Sequence, residues 1–334
     1  MRYVALGDSY AAGVGGGARR NACWRADDGY PVQVARRLGL DVAYNACLGA
    51  TIADVAANQV EALGADTTHV SITLGGNDIG FVPVLIAAAE PGWMTNSDVS
   101  IDHAVIAIRR DLPGRLDGLY ADIAARAPQA RVLVTGYPRL FNGVDCNLAT
   151  FFSAHEMARL NAAADELGST IAAAARRAGF TYAGVGSRFA RHAVCGDPEW
   201  INGVSWPLEG SFHPNALGHT AYADVVSEAF ARLMPQEPSA AYADVAIIDG
   251  PCVPGSAPTF ALPDLLSARS LDGAREFGIN PAEVESLAHR LYDGLEAAQQ
   301  PGVVSSGDAI AAAARLRELD ATARARRGEV RMDG

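Results

Sequence analysis

Through the first two-thirds of the chain, short runs of consecutive apolar residues alternate with longer stretches whose apolar positions recur at helical spacing. The short runs predict strands at 2–7, 41–46, 69–74, 131–136 and 181–183. The periodic stretches predict helices at 31–38, 52–63, 103–127, 161–178 and 215–234, with Gly179 a natural stop for the fourth. Alternation of this kind implies a parallel sheet of five strands, because each parallel strand must be reached by a crossover and the crossover is usually a helix.

After Met234 the pattern changes. Six of the 17 prolines fall between Pro235 and Pro263, which predicts an extended connector, since proline lacks the N–H that helices and ladders need. Asn280, Pro281 and Glu283 then read as a helix start with its cap, its preferred first residue and an acid in the first turn. Val284, Leu287, Leu291 and Leu295 share one face of that helix, and Ile310, Ala313, Leu316 and Leu319 share one face of a second that begins near Asp308. The expected organisation is a main α/β domain over 1–234, a proline-rich connector over 235–263 and a helical appendage over 264–334. The appendage either docks on the main domain or on a partner, or is an exposed tail that stabilises the fold.

Composition narrows the function. Hydrophobic residues make up 49% of the 334 and charged residues 19%, the balance of a globular chain. Apolar runs long enough to cross a membrane as a helix are missing from the sequence. A net charge of −11 argues against nucleic acid as the main partner. All 27 basic residues are Arg, so Schiff-base chemistry and a lysine phosphate grip are excluded. The acidic excess is divided unevenly: 18 Arg stand against 23 acids up to residue 234, and 9 against 15 in the last 100 residues.

Four segments carry candidate chemistry. Gly7-Asp8-Ser9 follows the first strand, at the edge where α/β sheets build their sites. Asn45 to Thr51 follows the second and contains Gly49, whose N–H can face a bound group with no side chain in the way. Gly75-Gly76-Asn77-Asp78 follows the third, so the Asn77 amide can project over the sheet edge. Ser211-Phe212-His213-Pro214-Asn215 precedes the last helix of this unit and puts an imidazole on a loop within reach of a nucleophile. Each segment alone also fits a cap or turn; the four in order do not.

Together these segments resemble the SGNH hydrolase superfamily, the GDSL-type esterases and lipases, over residues 1 to about 234. The resemblance implies a flavodoxin-like three-layer α/β/α fold with Ser9 as nucleophile and His213 as general base. It also implies an oxyanion hole made by the Ser9 and Gly49 backbone N–H groups and the Asn77 side chain, with no cofactor. Many members carry an Asp three residues before the histidine, where this chain has Gly210. Either Glu209 orients the imidazole, or a main-chain carbonyl of Gly210 or Ser211 does. The latter, a Ser-His dyad, is the pattern of an actinobacterial lipase, phospholipase and esterase subgroup, and is favoured here. In that subgroup's pattern Cys23 pairs with Cys47 and Cys146 with Cys195, leaving Cys252 free. That pairing favours secretion, but Met1 leads straight into strand-like residues with no leader, so a cytoplasmic location stays open.

The expected partner is a small-molecule or lipid ester. Acyl transfer, removal of an acetyl group from a carbohydrate or natural product, and a non-catalytic role for the helical tail remain the alternatives. His69, His103, His155, His192 and His289 lack ligand spacing, so no metal is expected. His219 is expected to be a packing or surface group. Gly13 to Gly17 is expected to form a flexible wall of the substrate groove. Trp24, Phe81, Trp93, Phe151, Phe152, Trp200 and Trp206 are expected around the serine.

Overall fold

The computed structural model describes residues 2–233, 244–299 and 306–332. The expected parallel sheet is present, with six strands where the sequence pattern implied five. Chain order gives β1 (Arg2–Gly7), α1 (Ser9–Ala12), α2 (Tyr30–Leu38), β2 (Asp41–Tyr44), α3 (Ile52–Asn58), β3 (Thr67–Thr73), α4 (Phe81–Ala89), α5 (Ser97–Arg110), α6 (Leu112–Arg126), β4 (Arg131–Thr135), α7 (Ala154–Arg177), β5 (Thr181–Ala183) and α8 (Ala216–Leu233). Then follow β6 (Ile247–Asp249), α9 (Ala268–Glu276), α10 (Pro281–Ala298) and α11 (Gly307–Met332).

The strands lie in the order β5-β4-β3-β1-β2-β6, all parallel. β1 and β3 sit at the centre and are buried along almost their whole length, which is why they read as unbroken apolar runs. Helix α8 packs on α2 and on β4 and β5, while α5, α6 and α7 pack on one another to form a second helical layer. β1, β2 and β3 therefore all end at the same sheet edge, and the loops leaving them meet there.

The departures have local causes. The sixth strand, Ile247-Ile248-Asp249, lies inside the segment expected to be an extended connector; it pairs with β2, too short a run for sequence periodicity to distinguish. The helix expected over 103–127 is two helices, because Pro113 near the start of α6 has no N–H for the preceding turn. The helix expected to start at 161 begins at Ala154, where Ser153 and Glu156 form a reciprocal capping box. The stretch over 52–63 is α3 followed by a short 3-10 turn at Val60–Ala62. Met234, Pro235 and Pro238, and with them the expected boundary at 234, lie outside the described residues.

The appendage helices have their own apolar cluster, in which Leu287, Leu291, Leu316 and Leu319 meet Trp93, Ala149 and Phe151 of the main body. Polar anchors fix the contact: Arg324 pairs with Glu156 at 2.9 Å and with Asp320 at 2.8 Å, and donates to the Phe151 carbonyl at 2.8 Å. Asp320 in turn accepts from the Gly92 N–H. A guanidinium shared between two largely buried carboxylates satisfies charges that would be costly alone. Among the described residues, α10 and α11 pack on each other and the bundle packs on the main body.

Candidate active site

Ser9 is the first residue of α1, and Asp8 is its cap, with Oδ1 accepting from the Tyr10 N–H at 3.0 Å. The turn is held from behind by Gln59, whose amide grips Gly7 at both ends. Gly7 N–H donates to Oε1 at 2.8 Å, and Nε2 donates to the Gly7 carbonyl at 3.0 Å. Tyr137 donates its hydroxyl proton to Asp8 Oδ2, and the Tyr137 hydroxyl oxygen accepts from Gly76 N–H at 3.0 Å. Burial lifts the Asp8 carboxyl to about 7 against those hydrogen bonds.

His213 arrives on the loop before α8. Its Nε2 lies 2.7 Å from Ser9 Oγ, and its Nδ1 lies 2.9 Å from the Ser211 carbonyl oxygen. A carbonyl only accepts, so Nδ1 carries the proton and Nε2 presents its lone pair to the serine. Tyr10 steadies this loop by donating to the Phe212 carbonyl at 2.9 Å, with its ring 5.2 Å from the imidazole. Burial lowers His213 to about 4, a shift only partly offset by the hydrogen bond to Ser211. Glu209 makes no side-chain hydrogen bond to His213 among the described residues, and the Gly210 carbonyl is taken by Asn202 Nδ2 at 3.1 Å. Of the groups weighed for orienting the imidazole, the Ser211 carbonyl holds Nδ1 at 2.9 Å, and the Glu209 main chain, not its carboxylate, adds a smaller hydrogen-bonding contribution.

The other two loops face the same point. Gly49 has φ +73°, a left-handed conformation that side chains resist. Asn77 Nδ2 donates to the Ala50 carbonyl at 2.9 Å and has a second N–H to offer, and the residue lines the same cavity as Ser9. Among the described residues the Ser9 and Gly49 N–H groups have no protein acceptor. Asp78 joins these loops by accepting from Ile52 N–H at 3.1 Å. In front of them opens a cavity of about 760 Å³ including its mouth, lined by Ser9, Gly49, Asn77 and His213 and by apolar side chains such as Phe81, Leu85, Leu140, Leu167 and Phe260.

Several expected neighbours lie elsewhere. Gly13 to Gly17 is not part of the cavity wall; Gly16 packs against the His219 ring. His219 is fully buried and its Nε2 lies 3.0 Å from the Val14 carbonyl, a packing role. Of the seven aromatics expected around the serine, Phe81 lines the cavity. Trp93 and Phe151 belong to the appendage interface, Trp200 stacks on His192, Trp24 lies under Arg19, Phe152 packs on Phe212, and Trp206 is exposed. The bridges Cys23–Cys47 and Cys146–Cys195 are formed, and exposed Cys252 has its sulfur within 4.8 Å of both sulfurs of the first. Gln59 and Phe260 escape sequence reading, because each reaches the site from a remote segment with no motif around it.

Residues 5–221 match the model of the GDSL-like lipase/acylhydrolase family. A lipase of Streptomyces rimosus is 38% identical over 233 residues, which is 68% of this chain and 86% of that protein. The crystal structure of an extracellular lipase from Streptomyces rimosus superposes with a TM-score of 0.64 at 36% identity, covering 69% of this chain and 99% of that one. That of phospholipase A1 from Streptomyces albidoflavus gives 0.62 at 34%, covering 68% and 98%.

Proposed function

Since the chain belongs to the GDSL-like lipase/acylhydrolase family and is a carboxylic ester hydrolase, we propose that Ser9 is its nucleophile, His213 its general base, and Ser9, Gly49 and Asn77 its oxyanion hole. The observation that carries the reading is the 2.7 Å contact from Ser9 Oγ to an imidazole nitrogen whose partner nitrogen is held by a carbonyl. Such an imidazole can take the hydroxyl proton as the oxygen attacks the ester carbonyl.

The negative charge then develops on the former carbonyl oxygen, and the Ser9 and Gly49 N–H groups and the Asn77 amide donate to it in this reading. Donors fixed before the reaction need no reorganisation, and loss of one typically costs roughly 10²–10³ in kcat. The imidazolium returns its proton to the leaving alcohol, leaving an acyl group on Ser9. Water activated by the same imidazole attacks the acyl-enzyme and releases the acid. No step calls on a metal or an organic cofactor.

The apolar lining favours an acyl chain over a charged group in the cavity. The relatives named lipase and phospholipase A1 support a lipid ester as the substrate class. Replacing Ser9 with Ala should abolish release of p-nitrophenol from a short p-nitrophenyl ester. Hydrolysis at the wild-type rate would refute the serine mechanism.

A further inference from the structure

The family match ends at residue 221, and the lipase chain it resembles, 99% covered, accounts for only 69% of this one. The additional chain runs back across the site. Between β6 and α9, the segment over 250–262 lies against the loop that carries Gly49. Gly255 N–H donates to the Leu48 carbonyl at 2.9 Å, and Ala257 N–H donates to the Gly49 carbonyl at 3.1 Å. Ser256 donates from N–H and Oγ to Asp54 Oδ2 at 3.1 and 2.9 Å. The two backbones are so close that a Cβ on Gly255 would stand 1.9 Å from the Gly49 carbonyl carbon.

Both ends of this strap are tied. On one side Arg25, fully buried, donates to the Gly250 and Pro251 carbonyls at 2.7 and 2.8 Å. On the other, Tyr292 of α10 donates to the Pro263 carbonyl and accepts from Leu265 N–H at 2.9 Å. Past the glycine contact, Pro258, Thr259 and Phe260 line the cavity. Phe260 is 6% exposed, and its ring stands edge-on to that of Phe212, the residue before His213, with centroids 4.8 Å apart.

We propose that this strap is a positioning and specificity element of the esterase. The proposal rests on the reading of Gly49 as an oxyanion donor. The Leu48 carbonyl and the Gly49 N–H are the two ends of one planar trans peptide and point in opposite directions. A hydrogen bond from Gly255 on the carbonyl therefore fixes the plane, and with it the direction of the N–H on the far side. Phe260 forms a wall of the acyl cavity and sets how much chain fits. The appendage bundle anchors the end of the strap.

The test uses the full chain and p-nitrophenyl esters from butanoyl to dodecanoyl. Gly255→Ala should lower kcat on the butanoyl ester by about 10-fold or more, with KM within about 3-fold, because a misdirected donor is lost in the transition state and not in substrate binding. Phe260→Ala should raise the dodecanoyl-to-butanoyl ratio of kcat/KM by about 4-fold or more, the effect of seating at least one further methylene. Phe260→Leu should fall between that variant and wild type. If Gly255→Ala fails to fold by circular dichroism, the Phe260 pair decides. A ratio unchanged within about 2-fold in Phe260→Ala, or a Gly255→Ala effect confined to KM, overturns the proposal. In either case an inactive Ser9→Ala leaves the serine reading intact, whereas an active Ser9→Ala overturns that reading first.

Discussion

Glu209 is the carboxylate that a triad would need, and its removal separates two mechanisms by a large factor. His213 Nδ1 is held at 2.9 Å by the Ser211 carbonyl, a backbone group that no side-chain substitution removes. Glu209→Ala should therefore change kcat by less than about 3-fold, whereas loss of an orienting carboxylate from a triad costs about 10⁴-fold. The pH profile provides a second reading. A carboxylate beside the ring would stabilise the imidazolium and raise its pKa by ~1–3 units. Here burial dominates and lowers it to about 4. The base works only when neutral, so kcat/KM should rise through the His213 pKa and reach about nine-tenths of its plateau by pH 5. Asp8, lifted to about 7, titrates nearby, and any step it causes should vanish in Asp8→Asn while the His213 limb stays. Stopped assays with a p-nitrophenyl ester from pH 4 to 8 read both. A loss of about 10³-fold or more in Glu209→Ala, together with an acid limb at or above 6.5, would refute the dyad.

Four further outcomes rest on the geometry. Asn77→Ala should lower kcat by roughly 10²–10³ in the ester assay with little change in KM, since the proposed role of its amide is to donate to the oxyanion and not to the ground-state carbonyl. Gln59→Leu leaves the buried Gly7 N–H without a partner, while the Gly7 carbonyl keeps the Cys47 N–H at 3.1 Å; urea unfolding should show a loss of about 1–3 kcal/mol. Replacing Cys23 and Cys47 by Ser should cost about 2–4 kcal/mol in the same measurement. In wild type, iodoacetamide should label exposed Cys252 and none of the four bridged cysteines, as read by peptide mass.

The parts of the fold that depend on local pattern were legible. Buried parallel strands give unbroken apolar runs, and the four chemical segments stand out because three follow strand ends and the fourth enters a helix. What the sequence did not reveal depends on contacts between distant residues. Gln59 meets Gly7 across 52 positions, and Gly255 meets Leu48 across more than 200, with nothing in either neighbourhood to mark it. β6 is three residues long, below the length at which periodicity speaks. The break between α5 and α6 was hidden because the apolar spacing continues through it, and only Pro113 signals the stop. The orienting group was left open between Glu209 and a carbonyl, because a backbone acceptor has no residue type.

The most direct test of the central claim is the mass of the protein after brief reaction with a fluorophosphonate. A serine activated by His213 should take up one phosphonyl group per chain, mapped by tandem mass spectrometry to the peptide that contains Ser9, and His213→Ala should slow labelling by several orders of magnitude. Stoichiometric labelling at another residue, or labelling of Ser9 that is indifferent to His213→Ala, would contradict the account.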